Sequence, residues 1–325
     1  MAIMNGMQAG LLMAGLALTL PAAAQNFPAR PISILHASTS GSGPDTFLRM
    51  ANARMGETLG QPVNVEARPG GGGTVSAVAV KQAAPDGYTL LFNHSGNMVM
   101  DPVLGAMPFD PVKDFRAIAL GYYTLAILFV PGSSPAKTVA EFVALARSNP
   151  QGLFFGTAST SSDLIVAMIA HATGTKLLSV PYKGQPQILT DLASARLDFA
   201  ISTLQPTSRA LIDAGKLRVL AVAWPKRLES FPNYPTMIEQ GVPVPRSLTW
   251  FGLFAPAGTP DGVVRTLHRE FNAAFSRPEV RDMLAKDGSA ALALTDTPEE
   301  FGRIVRNDLA AIDKLIKDTG FKLKP

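Results

Sequence analysis

From residue 30 onward, apolar and polar positions follow two alternating periods. Short apolar runs of strand length, Pro31-Ile-Ser-Ile-Leu35, Pro62-Val-Asn-Val-Glu66 and Thr89-Leu-Leu-Phe92, are separated by stretches with helical spacing. The first such stretch places Phe47, Ala51, Met55 and Leu59 on one stripe, with Gly60 positioned to end the helix. A second, predicted over residues 74–83, turns Val75, Val78 and Ala79 inward. Three strand–helix units in succession predict a parallel sheet covered by helices. Ligands on such sheets bind where the loops leave the carboxyl ends of the strands.

Two further extended runs, residues 117–120 and 126–130, flank Gly121-Tyr-Tyr and would carry the chain into a second lobe. The alternation then restarts. Helix is expected over 139–148, strand over 153–155, helix to 172, strand over 177–180, helix to 192, and strands over 197–201 and 217–223. Trp250-Phe-Gly-Leu-Phe-Ala255 reads as a strand and as a candidate return crossing, and helices follow over 263–275, 279–286 and 299–318. The expected fold class is α/β: two lobes, each a mainly parallel sheet covered by helices, joined by two crossover strands. Residues 25–124 with 225–325 would form the first lobe, and residues 125–224 the second, each boundary placed to within about ten residues.

The loops that follow strands hold the candidate chemistry. In Ala37-Ser-Thr-Ser-Gly-Ser-Gly-Pro-Asp45, Ser38, Thr39, Ser40, Gly41 and Ser42 offer hydroxyls and N–H groups ahead of a helix. Pro44 suits the first helical position, and Asp45 falls in the first turn. His94 and Ser95 follow the third strand, as His36 follows the first. In the second lobe Ser159, Thr160, Ser161, Ser162 and Asp163 open a helix, and Tyr182, Lys183 and Gly184 precede another. Serine and aspartate at such places also act as caps, and a serine without a neighbouring base donates hydrogen bonds rather than attacking.

Composition narrows the function. Apolar residues make up 47% of the 325, charged ones 17%, and the formal charge is +4. No basic stripe interleaved with aromatics exists, so nucleic acid is not an expected partner. The absence of cysteine removes disulfides and thiol chemistry. The first 24 residues resemble a signal peptide. An apolar run at 10–20 leads into Pro21-Ala-Ala-Ala24, an A-x-A type cleavage site, although no Lys or Arg precedes it. Export is expected, with a mature start at Gln25 and, since Gln25 is not cysteine, no lipid attachment.

Neither a G-x-S-x-G elbow, an H-E-x-x-H helix nor a G-x-x-x-x-G-K-[ST] loop occurs. Residues Gly71 to Ser76 come near G-x-G-x-x-G, but serine takes the third place and the next strand ends at Phe92-Asn93 without an acid. No cofactor is expected. The histidines lie far apart in sequence, so no metal site is expected either.

Other segments say more. Gly60-Gln-Pro-Val63, Glu66-Ala-Arg-Pro-Gly-Gly-Gly-Gly73, Ala84-Pro-Asp-Gly-Tyr-Thr-Leu-Leu91 and Phe109-Asp-Pro-Val-Lys-Asp-Phe115 are followed by Val180-Pro-Tyr-Lys-Gly184, Gly215-Lys-Leu-Arg218 and Trp250-Phe-Gly-Leu-Phe-Ala-Pro-Ala-Gly-Thr-Pro260. In this order they resemble the Bug family, the periplasmic substrate-binding proteins of tripartite tricarboxylate transporters. The resemblance spans residue 28 to the C-terminus. It implies a type II-like periplasmic-binding-protein fold that closes by a hinge on a small carboxylate. It implies delivery of the ligand to a membrane permease, with a sensor kinase as the alternative partner; no catalysis, a periplasmic location and a monomer are expected as well. The sequence departs from the family at the opening loop, where hydroxyls replace glycines while Asp45 is kept, and at Ser159-Thr-Ser-Ser-Asp163, which is shortened. Ser202 stands where amino-acid-binding relatives carry an aspartate, which argues against an amino-acid ligand.

Overall fold

The computed structural model describes residues 27–321 apart from 106, 229–231, 243, 245–248 and 288–289; the expected signal segment lies outside the described residues. Among the described residues, eleven strands sort into two sheets. The first contains β1 (Ile32–His36), β2 (Val63–Ala67), β3 (Thr89–His94), β4 (Phe115–Thr124), β10 (Trp250–Pro256) and β11 (Ala290–Leu292), in the order β11-β4-β10-β3-β1-β2. The second contains β5 (Ala126–Pro131), β6 (Leu153–Thr157), β7 (Leu177–Pro181), β8 (Phe199–Ser202) and β9 (Leu217–Ala223), in the order β7-β6-β8-β5-β9.

The sheets are mixed, not mainly parallel as expected. The βαβ units pair in parallel, β1 with β2 and β3, and β6 with β7 and β8. The strands next to the crossings run the other way. β10 is antiparallel to both β3 and β4, and β5 is antiparallel to both β8 and β9.

Ten helices lie against these sheets among the described residues: α1 (Gly43–Leu59), α2 (Thr74–Lys81), α3 (Asp101–Leu104), α4 (Val139–Ser148), α5 (Thr160–Thr173), α6 (Gln185–Ala193), α7 (Pro206–Asp213), α8 (Asp261–Phe275), α9 (Pro278–Asp287) and α10 (Pro298–Thr319). The predicted stripe of α1 is the face that packs, with Phe47, Ala51 and Met55 buried, and Gly60 ends the helix at φ 66°. In α10, Phe301, Val305 and Ile312 are buried, and the Phe301 ring meets Trp250 edge-on at 5.2 Å. Thr297 caps that helix by accepting from the Glu300 N–H at 3.2 Å, a bond whose loss costs about 1 kcal/mol.

The first crossing is short. β4 ends at Thr124 and β5 begins at Ala126, with the buried Leu125 between them. The return differs from expectation twice. Residues 250–256 are not themselves the crossing but an interior strand of the first sheet. The chain also stays with the second lobe beyond residue 225. Met237 donates its N–H to Val222 C=O at 3.0 Å, and Met237, Val242 and Val244 are buried in the second core. The segment runs alongside β9, with Thr236 bridged in parallel to Val222. Between the lobes, Leu164 of α5 is buried among first-lobe residues including Leu35 and Met98. Trp224 meets Tyr123 edge-on at 5.4 Å.

Candidate functional site

The first-lobe loop is organised from beneath by Asp45. Its carboxylate accepts the Gly41 N–H at 2.8 Å and the Arg49 guanidinium at 2.9 Å, and its residue is 3% exposed. His36 Nε2 lies 2.9 Å from the same carboxylate, within attraction though poorly aligned for a hydrogen bond. Burial opposes ionisation of Asp45, but the bonds from Arg49 and Gly41 hold its pKa below the usual carboxylate value. Burial likewise lowers the His36 pKa from 6.5, against the pull of Asp45. Asp45, expected among the ligand contacts, here points beneath the loop and shapes it from inside. Above it Ser38 and Ser42 are half-buried, and Thr39, Ser40 and Gly41 are exposed. Gly41 borders a separate hollow against α9, with Thr46, Met50 and Met283.

The glycine run has a conformational explanation. Gly70, Gly71, Gly72 and Gly73 all have positive φ, and a Cβ on Gly73 would stand 2.9 Å from Asn93 Oδ1 and 3.1 Å from Asn97 Cγ. Those amides form a buried chain. Asn93 Nδ2 donates to Asn97 Oδ1 at 2.7 Å, and Asn97 Nδ2 donates to Thr74 Oγ1 at 3.3 Å. His94 is half-buried beside them, its ring 5.6 Å from that of Phe251. Burial lowers its pKa to about 4, with a hydrogen bond to Gly72 backbone acting the other way. Ser95 is buried, and its hydroxyl accepts the Trp250 N–H at 3.1 Å, tying the end of β3 to β10.

In the second lobe the hydroxyls converge. Ser159 is the N-cap of α5, with φ −154° and ψ 141°. Its Oγ lies 3.2 Å from Ser161 Oγ and 3.0 Å from Ser162 Oγ. Gly184 precedes α6, and Gln185 Nε2 donates to Thr203 C=O at 2.9 Å, joining that loop to the end of β8. Beside them the crossings are tied where the Thr124 N–H meets Thr249 C=O at 2.9 Å.

Together these elements enclose a chamber of about 120 Å³ lined by Ser159, Ser161, Ser162, Gln185, Ser202, Thr203, Thr124 and Thr249, with Leu125, Ala126, Ile165 and Ile201 as its apolar wall. None of those residues is charged. A second cavity of about 630 Å³ runs along the other side of α5, over β7, with Phe321 beyond α10 on its rim. Ser159 lines both, while Thr160, Asp163 and Tyr182 line only the larger. Lys183 is exposed, and the Tyr182 hydroxyl donates to Asp191 at 2.7 Å.

The structure therefore gathers Ser159, Ser161, Ser162 and Ser202 into one chamber, and the first-lobe loop does not line it. Four of the chamber's polar residues were missed in the sequence. Gln185 and Thr203 adjoin the predicted Gly184 and Ser202, so proximity to a strand end was the available signal. Thr124 and Thr249 gave none, because 125 positions separate them.

Residues 47–321 match the family model described as the tripartite tricarboxylate transporter family receptor. The chain belongs to that family. A relative from Pseudomonas sp. (strain P51), the UPF0065 protein in the tcbD-tcbE intergenic region, is 33% identical over 89% of this chain and 86% of its own length. Among solved structures, a TctC solute binding protein from Polaromonas has a TM-score of 0.79 at 26% identity, covering 90% of this chain and 99% of that one. Rpa4515 of R. palustris, solved with adipate, has a TM-score of 0.73 at 31% identity and covers 90% and 98%. MatC of Rhodopseudomonas palustris, with bound malate, has a TM-score of 0.70 at 28% identity and covers 89% and 100%. The family and fold are those of periplasmic solute-binding proteins, which are not enzymes. This receptor has a two-lobed fold, and the ordered motifs that resembled the Bug family lie along the matched region.

Proposed function

We propose that this receptor captures a small carboxylate-bearing anion between its lobes in the periplasm and delivers it to a tripartite tricarboxylate-type membrane permease. The observation that supports this reading is the hinge chamber, whose polar lining is hydroxyl and amide and holds no charged side chain. A carboxylate there meets donors without meeting a competing negative charge. Each hydrogen bond to a charged group contributes about 1.5–3 kcal/mol, and the α5 N-terminus about 0.3–1 kcal/mol. Three such bonds with the helix dipole approach the ~8 kcal/mol of micromolar affinity. Two relatives are solved with carboxylates, one with adipate and one with malate.

Closure would rotate the lobes about the tied strands at Thr124 and Thr249, and only contacts made better in the closed form would drive it. The receptor family description favours a permease over a sensor kinase as the partner. Among the described residues no helix is long and apolar enough to cross a membrane, which accords with a separate permease. Isothermal titration of the mature chain against mono- and dicarboxylates tests the reading. Micromolar binding, with a smaller radius of gyration when ligand is present, is the expected result. Flat heats and an unchanged melting temperature across the series would end it.

A further inference from the structure

The hydroxyl protons at the start of α5 can be followed one by one, because each serine has a single hydrogen to donate. Ser162 Oγ donates to the Ile201 carbonyl at 3.0 Å, so its contact with Ser159 Oγ, also at 3.0 Å, has to be donated by Ser159. The Ser159 proton is then committed, and its contact with Ser161 Oγ at 3.2 Å has to be donated by Ser161. The three serines form one directed chain, from Ser161 through Ser159 and Ser162 to the backbone of β8. Of its protons, the one at the head, on Ser161, turns to a ligand with the loss of a single bond. Thr124 likewise directs its hydroxyl to Thr249 C=O, at 3.4 Å.

Gln185 is built differently. It opens α6 directly after Gly184 and lines the same chamber as Ser161. Both ends of its amide meet Thr203: Nε2 donates to the Thr203 carbonyl at 2.9 Å, and Oε1 accepts from the Thr203 hydroxyl at 3.4 Å. A carbonyl oxygen only accepts, so the nitrogen has to be the end that faces it. Turning the amide over would set oxygen against oxygen. An amide nitrogen has two hydrogens, and one of them serves Thr203. The second is the donor that Gln185 brings to the chamber. A hydroxyl proton can swing to another acceptor, whereas this one is fixed by a planar group held at both ends. Its place in the first turn of α6 adds the positive end of that helix.

We propose that Gln185 is the residue by which the chamber tells a carboxylate from a neutral amide, its fixed N–H and the Ser161 proton meeting the two oxygens of one ligand carboxylate. This rests on the carboxylate-binding reading and gives it a specificity-determining side chain. A carboxylate accepts at both oxygens, and its charge makes each bond from these donors about twice as strong as a neutral one. A ligand amide has one acceptor and an NH₂ group, so one of the two donors would face a hydrogen instead of a lone pair.

The test is titration of adipate, malate and 3-phenylpropanoate, each beside its neutral amide, into the natural chain, Gln185→Leu and Gln185→Glu. Melting curves verify that both variants fold. Gln185→Glu keeps the length of the side chain, replaces its donor by an acceptor and suits the first turn of a helix. The natural chain is expected to bind at least one acid about tenfold or more tighter than its amide, the difference that charge assistance supplies. Gln185→Leu should reduce that preference about fivefold, through loss of one such bond. Gln185→Glu should abolish or reverse it, since a carboxylate there repels the ligand's own and accepts from an amide N–H. Acid and amide weakened in parallel, with their ratio unchanged in both variants, would make Gln185 a shaper of the chamber and overturn this inference while leaving carboxylate capture standing. Equal binding of acids and amides by the natural chain would overturn it too. No binding by any of the six compounds overturns both readings.

Discussion

Ser162 Oγ donates to the Ile201 carbonyl at 3.0 Å, joining the start of α5 to the end of β8 across 39 positions. That bond commits the Ser162 proton to a backbone carbonyl, whereas Ser161 Oγ pairs with Ser159 Oγ at 3.2 Å. Two adjacent serines in one chamber thus have different duties. Ser162→Ala should lower stability by about 1 kcal/mol, seen as a drop of a few degrees in melting temperature. Ser161→Ala should leave the melting temperature within a degree or so and weaken carboxylate binding about tenfold, the equivalent of one charge-assisted bond. Equal effects from both in titration and melting would contradict the division.

Thr124 ties the crossings twice, through its N–H to Thr249 C=O at 2.9 Å and through its hydroxyl to the same oxygen at 3.4 Å. Thr124→Val keeps the first bond and removes the second. Because the second is long, the stability change should stay below about 1 kcal/mol. The chamber also loses a hydroxyl, so affinity should fall several-fold, measured by titration alongside melting.

Acid should destabilise this fold, and His94 should account for much of it. Its pKa is lowered by burial from 6.5 to about 4. The unfolded chain therefore takes up a proton that the folded one refuses, and stability present above pH 6.5 is lost as the pH falls toward 4. The difference corresponds to about 3 kcal/mol. His36, lowered in the same direction by burial, adds to the loss. Asp45, held below the usual carboxylate value, contributes stability that is lost at still lower pH as it protonates. His94→Gln should flatten the dependence of melting temperature on pH between 4 and 6.5. A slope unchanged by that substitution would remove His94 from the account.

Gly73 should tolerate no side chain. Its φ of +113° lies where L-residues are strained, and the added Cβ would meet Asn93, Ala37 and Asn97 at 2.9–3.1 Å. Gly73→Ala is expected to lose at least 2 kcal/mol, combining backbone strain with displacement of a buried amide chain. Chemical denaturation reads this directly as a lower midpoint at unchanged slope.

Much of the fold was legible along the chain because strands and helices are local patterns. The stripe through Phe47, Ala51 and Met55 and the short run Ile32 to Leu35 each announce which face is buried. The predicted loops are likewise where strands end and helices begin, since capping chemistry is local too. Mixed pairing was not legible. Whether β10 runs with or against β3 depends on where the chain re-enters the sheet, and Trp250 to Ala255 would carry the same apolar run either way. Nor could the return point be seen, because the burial of Met237 and Val244 depends on the rest of the second core into which they pack.

The site divides along the same line. By itself the sequence determined that hydroxyl and amide donors follow the strands, that cysteine chemistry is absent, and which family the ordered motifs resemble. Each of these is a property of residue type and spacing. Tertiary structure alone decided that Asp45 turns under its loop to hold Gly41 and Arg49, that Ser95 binds Trp250, and that Ser161, Ser202, Thr124 and Thr249 share one chamber. Direction and enclosure depend on which distant surfaces meet, and chain order does not encode a side chain's neighbours until the lobes have packed.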